Sequence, residues 1–220
     1  MAYNFVRASS QDMRTSTAPV GQFPMTLSAW VYPVTSGLGL HFVQLAQGLG
    51  AAAHRVRLTT AVPSDTVWRV AVRATVGGAN TNNTADGSVA IALNQWTHVA
   101  AACNSAGSGF SLYVGGSLIS TNTNAITAIN TLTQCNIGVD NNGGGFVNHH
   151  DGNLAEIGIW SVALAAGEIA SLAKGMACRR VRPQSLAFYA PLIRNVADGK
   201  GLAITQTNSP TVAVHPRVYA

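Results

Sequence analysis

Thr97-His-Val-Ala-Ala-Ala-Cys103, Phe110-Ser-Leu-Tyr-Val114 and Leu118-Ile-Ser-Thr121 are three short runs joined by Asn104 to Gly109 and by Gly115-Gly116. Each run has strand length, and the Gly pair permits the positive φ that a tight hairpin needs. The stretch reads as an antiparallel meander. The same pattern continues on either side. Met25 to Val34, ended by Pro33 and the turn residues Ser36, Gly37 and Gly39, is a strand, as are His41 to Ala46, Arg55 to Ala61 and Val67 to Val76. In Val67 to Val76 the residues Val70, Val72, Ala74 and Val76 face one way and Arg69, Ala71, Arg73 and Thr75 the other, which defines a half-buried strand. Val89 to Leu93, Leu132 to Gly138 and Gly152 to Trp160 complete the series. Gly77 to Gly87 and Asp140 to Asp151 read as loops rich in Gly and Asn.

A helix is expected only at Ala165 to Lys174, with Glu168 in its first turn and Gly175 as terminator. About a dozen short strands and one helix indicate an all-β fold: two antiparallel sheets packed as a jelly-roll sandwich. The expected division is a jelly-roll domain over 1–177 and an extended carboxyl-terminal arm over 178–220. The arm is rich in Pro and returns one short strand, Leu186 to Ala190, to the sandwich.

The chain has 220 residues, 47% hydrophobic and only 10% charged. An average soluble domain has about 25% charged residues, so disorder and long surface helices are excluded, and the question becomes what covers so uncharged a surface. The net charge of +5 rests on eleven Arg and two Lys against eight acids. Arg55/Arg57 and Arg69/Arg73 each share a strand face and read as solvated or partner-facing. The bases are dispersed without interleaved aromatics, which argues against nucleic acid. Cys103, Cys135 and Cys178 fit no metal spacing and read as buried thiols. Met1 to Val20 has the form of neither a secretion signal nor a membrane anchor, and no later run approaches the length of a spanning helix.

Three stretches carry a family resemblance. Phe23-Pro-Met-Thr-Leu-Ser-Ala-Trp-Val-Tyr-Pro33, then Gln95-Trp-Thr-His-Val-Ala100 leading to Leu112-Tyr-Val-Gly-Gly116, then Asp151-Gly-Asn-Leu-Ala-Glu-Ile-Gly-Ile-Trp160 with Ala163-Leu164 and Glu168-Ile169, together resemble the laminin-G-like members of the concanavalin A-like lectin/glucanase superfamily. They occur in the family's order. The resemblance implies the same sandwich, with Trp30, Trp96 and Trp160 supplying core area. The segment from Arg180-Val-Arg-Pro to His215-Pro-Arg-Val-Tyr219 is similar to the ends of laminin-G-like proteins of tailed phages and prophages.

Candidate sites follow. The loop residues Asp140, Asn141, Asn142, Phe146, His149, His150 and Asp151 gather oxygen donors, a ring and two imidazoles, suited to a glycan or a partner. Solvated turn residues are the plainer reading. Asp140 and Asp151 are the loop's only carboxylates, too few for a strong calcium site, so no cofactor is expected. Arg179, Arg180, Arg182, Arg217 and Tyr219 are candidate anchors of the arm on a partner. Retaining glycosidases need two carboxylates about 5–5.5 Å apart. Only Glu156 and Glu168 are glutamates, and no paired arrangement exists, so catalysis is not expected. The leading expectation is a non-enzymatic virion protein, made in a host cytoplasm, that decorates or cements a phage capsid by binding virion subunits or copies of itself, away from nucleic acid and membrane. The alternative is a glycan-binding module of a tail or fibre, using the loops at Asp140 to Asp151 and Gly77 to Gly87.

Overall fold

Alternating apolar side chains cannot be buried by one sheet alone, and this chain buries them between two. The computed structural model describes residues 2–36, 39–48, 54–61, 66–76, 79–105, 109–124, 129, 132–193 and 196–219. The strands are β1 (Ala2–Phe5), β2 (Asp12–Thr15), β3 (Met25–Pro33), β4 (His41–Ala46), β5 (Arg55–Thr60), β6 (Val67–Val76) and β7 (Ala79–Ala90). The meander follows as β8 (Thr97–Cys103), β9 (Phe110–Val114) and β10 (Ser117–Asn122). Then come β11 (Gln134–Ile137), the short β12 (Asp140–Asn141) and β13 (Phe146–Val147), and β14 (Gly152–Trp160). Helix α1 (Ala166–Ala173) leads to β15 (Leu186–Ala190), β16 (Thr205–Thr207) and β17 (Thr211–Ala213).

One sheet runs β10-β9-β8-β3-β14-β1-β17, with β15 also on β14; the other runs β16-β2-β11-β4-β5-β6-β7. Every pairing within them is antiparallel. Strand β14 divides one edge between two partners: Gly152 to Leu154 face β1, and Ile157 to Trp160 face β15. Glu156 sits at the changeover with φ 50°. The jelly-roll sandwich expected from the sequence is therefore the fold.

Between the sheets lie Phe5, Met13, Leu27, Phe42, Leu45, Trp68, Phe110 and Phe188, all buried. At about 1.5–3 kcal/mol per large apolar side chain, this layer is the main source of stability. A smaller cluster forms on the outer side of the eight-stranded sheet, where Trp160, Leu164, Ile169, Leu172, Cys178, Val181 and Leu186 pack on Ala100 and Ala102. Small residues at these positions let α1 lie close. At Gly116, φ +84°, a Cβ would stand 3.0 Å from Ala170 Cα and 2.9 Å from Ala173 Cβ, so only glycine serves both the hairpin and the helix contact.

Several sequence expectations need correction. Trp30 and Trp96 are half-buried at the surface, while Trp68, which sequence reading did not single out, fills the core. The segment read as a loop from Gly77 to Gly87 is strand from Ala79 to Ala90, drawn into register by β6 despite its Asn and Gly content; 77–78 lie outside the described residues. Sequence reading also passed over β1 and β2. The segment after α1 contributes three strands rather than one, with β16 on β2 and β17 on β1. In α1 the Glu168 carboxylate accepts the Ala165 N–H at 2.7 Å, the one half of a capping box that Ala165 allows. The three cysteines are free and buried, and burial pushes the Cys103 thiol up to about 12.

Candidate functional site

On β5 the residues Val56 and Leu58 point into the core, so Arg55, Arg57 and Thr59 point outward. The register of β5 and β6 sets Arg55 opposite Arg73, Arg57 opposite Ala71 and Thr59 opposite Arg69. Sequence analysis placed each Arg pair on a strand face; the structure brings the two pairs together. Gln44 of β4 and Asn136 of β11 extend the same polar surface, with Asn136 Nδ2 donating to Gln44 Oε1 at 2.8 Å.

The hairpin of β12 and β13 folds over this surface. Asp140 is buried, not solvated as its Gly/Asn setting suggested: Gln44 Nε2 donates to its Oδ1 at 2.5 Å, and Arg55 Nη1 and Arg57 Nη1 each reach its carboxylate at 3.4 Å. Arg55 also donates to the Asn141 carbonyl at 3.0 Å, and the Asn141 N–H donates to Gln44 Oε1 at 2.8 Å. Burial, with Arg57 and Arg55 alongside, drives the His41 pKa down to about 3 against the pull of Asp140, so the ring is neutral. Desolvation and the neighbouring Arg57 lower Arg55 to about 10, which leaves it charged at neutral pH.

The rest of the loop is pinned as well. The Arg14 guanidinium lies 3.4 Å over the Phe146 ring, so that ring is covered by a cation on this side. His149 Nε2 stands 3.4 Å from Asp12. Burial works to raise the Asp12 pKa, but His149 and Arg14 outweigh it and hold the carboxyl below its usual value. His150 is fully buried beside Phe5 and Phe42, and desolvation lowers it to about 4. Asp151 accepts the Arg7 N–H at 3.2 Å. Asn142 is exposed and accepts from Gly144 and Gly145 in the turn. Of the two carboxylates considered for calcium, Asp140 is committed to two guanidiniums, so this donor set does not fit the ion. Among the described residues no cluster of three or more His, Cys, Asp or Glu has metal-site geometry.

Beside Asp140 opens a cleft of about 320 Å3, lined by His41, Arg57, Thr59, Thr60, Arg69, Ala71, Asn82 and Asn148. Arg57 Nη2 donates to Asn82 Oδ1 at 3.3 Å, and Asp86 takes Nε and Nη2 of Arg69 at 2.6 Å each. Of the seven residues proposed for the 140–151 loop, Asp140 and Asn141 hold Arg55, and Asp140 also Arg57, from the hairpin that covers them. Neither they nor the other five line the cleft; Asn148, which sequence reading passed over, does.

The residues proposed as arm anchors separate. Arg182 pairs with Glu168 at 2.5 Å. Arg180 and Tyr219 line a hollow of about 420 Å3 with Ser171, Lys174 and Met176. Arg179 borders another, of about 210 Å3, with Glu156, Tyr189 and His215. There the Tyr189 hydroxyl donates to Glu156 at 2.9 Å, and burial together with that carboxylate raises the phenol's pKa. Arg217 is exposed, and Tyr219 is tied to Gly175 through its N–H at 2.6 Å. Among the described residues no helix is long and apolar enough to cross a membrane.

Two large antiparallel sheets, a meander edge and a polar outer face roofed by a hairpin define a lectin-type sandwich. Residues 7–170 match the model of the concanavalin A-like lectin/glucanases superfamily, and the chain belongs to that family. None of the curated proteins matches the sequence. Among solved structures, the chain is similar to a heptameric SAP-like pentraxin from Limulus polyphemus, with TM-score 0.67 and 18% identity over 97% of this chain and 94% of that one. Domain 4 of an extracellular arabinanase from Geobacillus stearothermophilus, solved with arabinotriose, gives TM-score 0.57 and 17% identity over 78% of this chain and 76% of that one. The enzymatically active domain of tailspike protein 2 from bacteriophage CBA120 gives 0.58 and 16%, covering 89% of this chain and 32% of that one. At these identities the likeness is one of fold.

Proposed function

We propose that the chain is a non-catalytic carbohydrate-binding domain whose ligand seats in the cleft over β5 and β6. The convergence of hydroxyl, amide, imidazole and guanidinium groups from five segments on one cavity carries this reading, because sugars are recognised by preorganised hydrogen bonds. The arrangement does not suit hydrolysis. Asp140 and Asp86 are each bound to arginine, and Glu156 belongs to the other sheet and is engaged by Tyr189. A glycan array followed by titration, with and without calcium, tests the reading. Saturable binding to a glycan, independent of calcium and weakened at least ten-fold in Asn82→Ala or Asn148→Ala, is the expected result. The absence of saturable binding to any glycan overturns it.

A second reading concerns where the domain works. We infer a place on the exterior of a phage particle, as a capsid decoration or cement protein contacting virion subunits or its own copies. Support comes from exposed apolar residues on the carboxyl-terminal segment, Ile193, Val212, Val214 and Tyr219, with Arg217 and Arg180 nearby in sequence or space, and from the tailspike likeness. Mass spectrometry of purified particles tests it: the chain present at a stoichiometry set by capsid symmetry supports decoration, and its absence removes the reading.

A further inference from the structure

We propose that the ligand of the cleft is an acidic saccharide, held through a carboxylate or sulfate group by Arg57 and Arg69. This rests on the cleft being a carbohydrate site and adds the chemical class of what it takes.

One pairing across β5 and β6 does not serve the fold. Arg55 and Arg73 are directly opposite across β5 and β6, and like charges in that position destabilise a sheet. Arg57 lies diagonal to both Arg69 and Arg73, so four guanidiniums crowd two adjacent strands. Among the described residues, Asp140 and Asp86 are the carboxylates paired with them, and both are committed. Asp140 is shared by Arg55 and Arg57 from beneath the hairpin, and Asp86 takes one edge of Arg69. Arg69 keeps Nη1 outside that bidentate pair, and Arg57 Nε is buried without a hydrogen-bond partner among the described residues. His41, neutral, adds hydrogen-bonding capacity without charge.

The four guanidiniums thus outnumber these two carboxylates, and two of the four, Arg57 and Arg69, line a cavity of about 320 Å3 that also offers Thr59, Asn82 and Asn148. A guanidinium fork matches carboxylate and sulfate bidentately, which gives orientation as well as attraction, and the neutral donors suit sugar hydroxyls. The site is a built one. Gln44 and Asn136 hold Asp140, Asp140 holds Arg55 and Arg57, and little ordering is left for the ligand to drive.

The test uses matched probes on the full chain: polygalacturonate against its methyl-esterified form, and dextran sulfate against dextran. The expected result is binding to at least one acidic member that is ten-fold or more tighter than to its neutral counterpart. Arg57→Gln and Arg69→Gln should each weaken it ten-fold or more, while Arg180→Gln, a remote variant of equal charge change, leaves it within two-fold; unchanged thermal unfolding keeps the variants comparable. Equal affinity for neutral and acidic members overturns the acidic class while leaving a carbohydrate site. An equal loss in Arg180→Gln, or none in the cleft variants, reduces the effect to net charge and also overturns it. Failure to bind any glycan here or on the array removes both this proposal and the reading beneath it.

Discussion

The two outer faces of the sandwich are covered by opposite means. On the eight-stranded sheet, Trp160 of β14, Ile169 and Leu172 of α1 and Val181 beyond it lie over Ala100 and Ala102, an apolar seal whose Trp160 Nε1 donates to the Val181 carbonyl at 2.8 Å. On the seven-stranded sheet, the β12–β13 hairpin brings a carboxylate down onto arginines and amides and leaves a cleft beside it. Apolar burial stabilises without regard to direction, whereas a charged network stabilises little once desolvation is counted but fixes side chains in place. The first face is thus sealed for stability, and the second holds polar groups in fixed positions beside an open cleft.

Acidification should have the largest effect, since both sheets hold histidines that burial keeps neutral. His98 lies beside Ser28 on the eight-stranded sheet, His41 belongs to the cleft, and His150 packs against Phe5 and Phe42 of the core. Their folded pKa values lie near 3, 3 and 4, below the unfolded value of 6.5. The unfolded chain therefore takes up protons first: the stability is complete above pH 6.5 and is lost as pH falls toward 4 and then 3. Each histidine contributes a slope of about 1.4 kcal/mol per pH unit in that window, measurable by urea unfolding at a series of pH values. A flat profile between pH 6.5 and 4.5 would contradict this. Trp160→Ala strikes the apolar seal and should cost about 3–5 kcal/mol in chemical denaturation while leaving any glycan affinity intact. Asp140→Asn strikes the charged roof. Removing one member of a buried ion cluster costs about 3 kcal/mol, and glycan binding should fall with it because Arg57 loses its anchor. The smallest effect belongs to Arg182→Ala. Its pairing with Glu168 is half-exposed, and thermal unfolding should shift by less than about 1 kcal/mol in equivalent free energy.

Legibility in the sequence followed how much of an element's stability is its own. Strands β3, β4, β5, β6, β8 and β14 carry alternating or apolar runs and could be read directly. Strand β7, with Asn82, Asn83 and Gly87, has poor strand propensity and owes its conformation to pairing with β6. Strands β16 and β17, three residues each, exist because β2 and β1 offer open edges. At the site, the two arginine pairs were visible in the sequence, whereas the register that sets Arg55 opposite Arg73 was not. What could not be read was Asp140. Its string of Asn and Gly neighbours resembles a solvated turn, and its partners lie 83 to 96 positions earlier in the chain.

The pairing of β1 has a consequence for how the molecule is made. Tyr3 lies between Leu154 on one side and Val212 on the other, and Met13 of β2 lies between Ile137 and Gln206. β1 and β2 therefore wait for partners that leave the ribosome more than a hundred residues later. Folding is dominated by distant contacts and expected to be slow. Until those partners arrive, the nascent chain exposes open β edges, and its yield in a cell depends on how well those edges are kept from pairing with another copy.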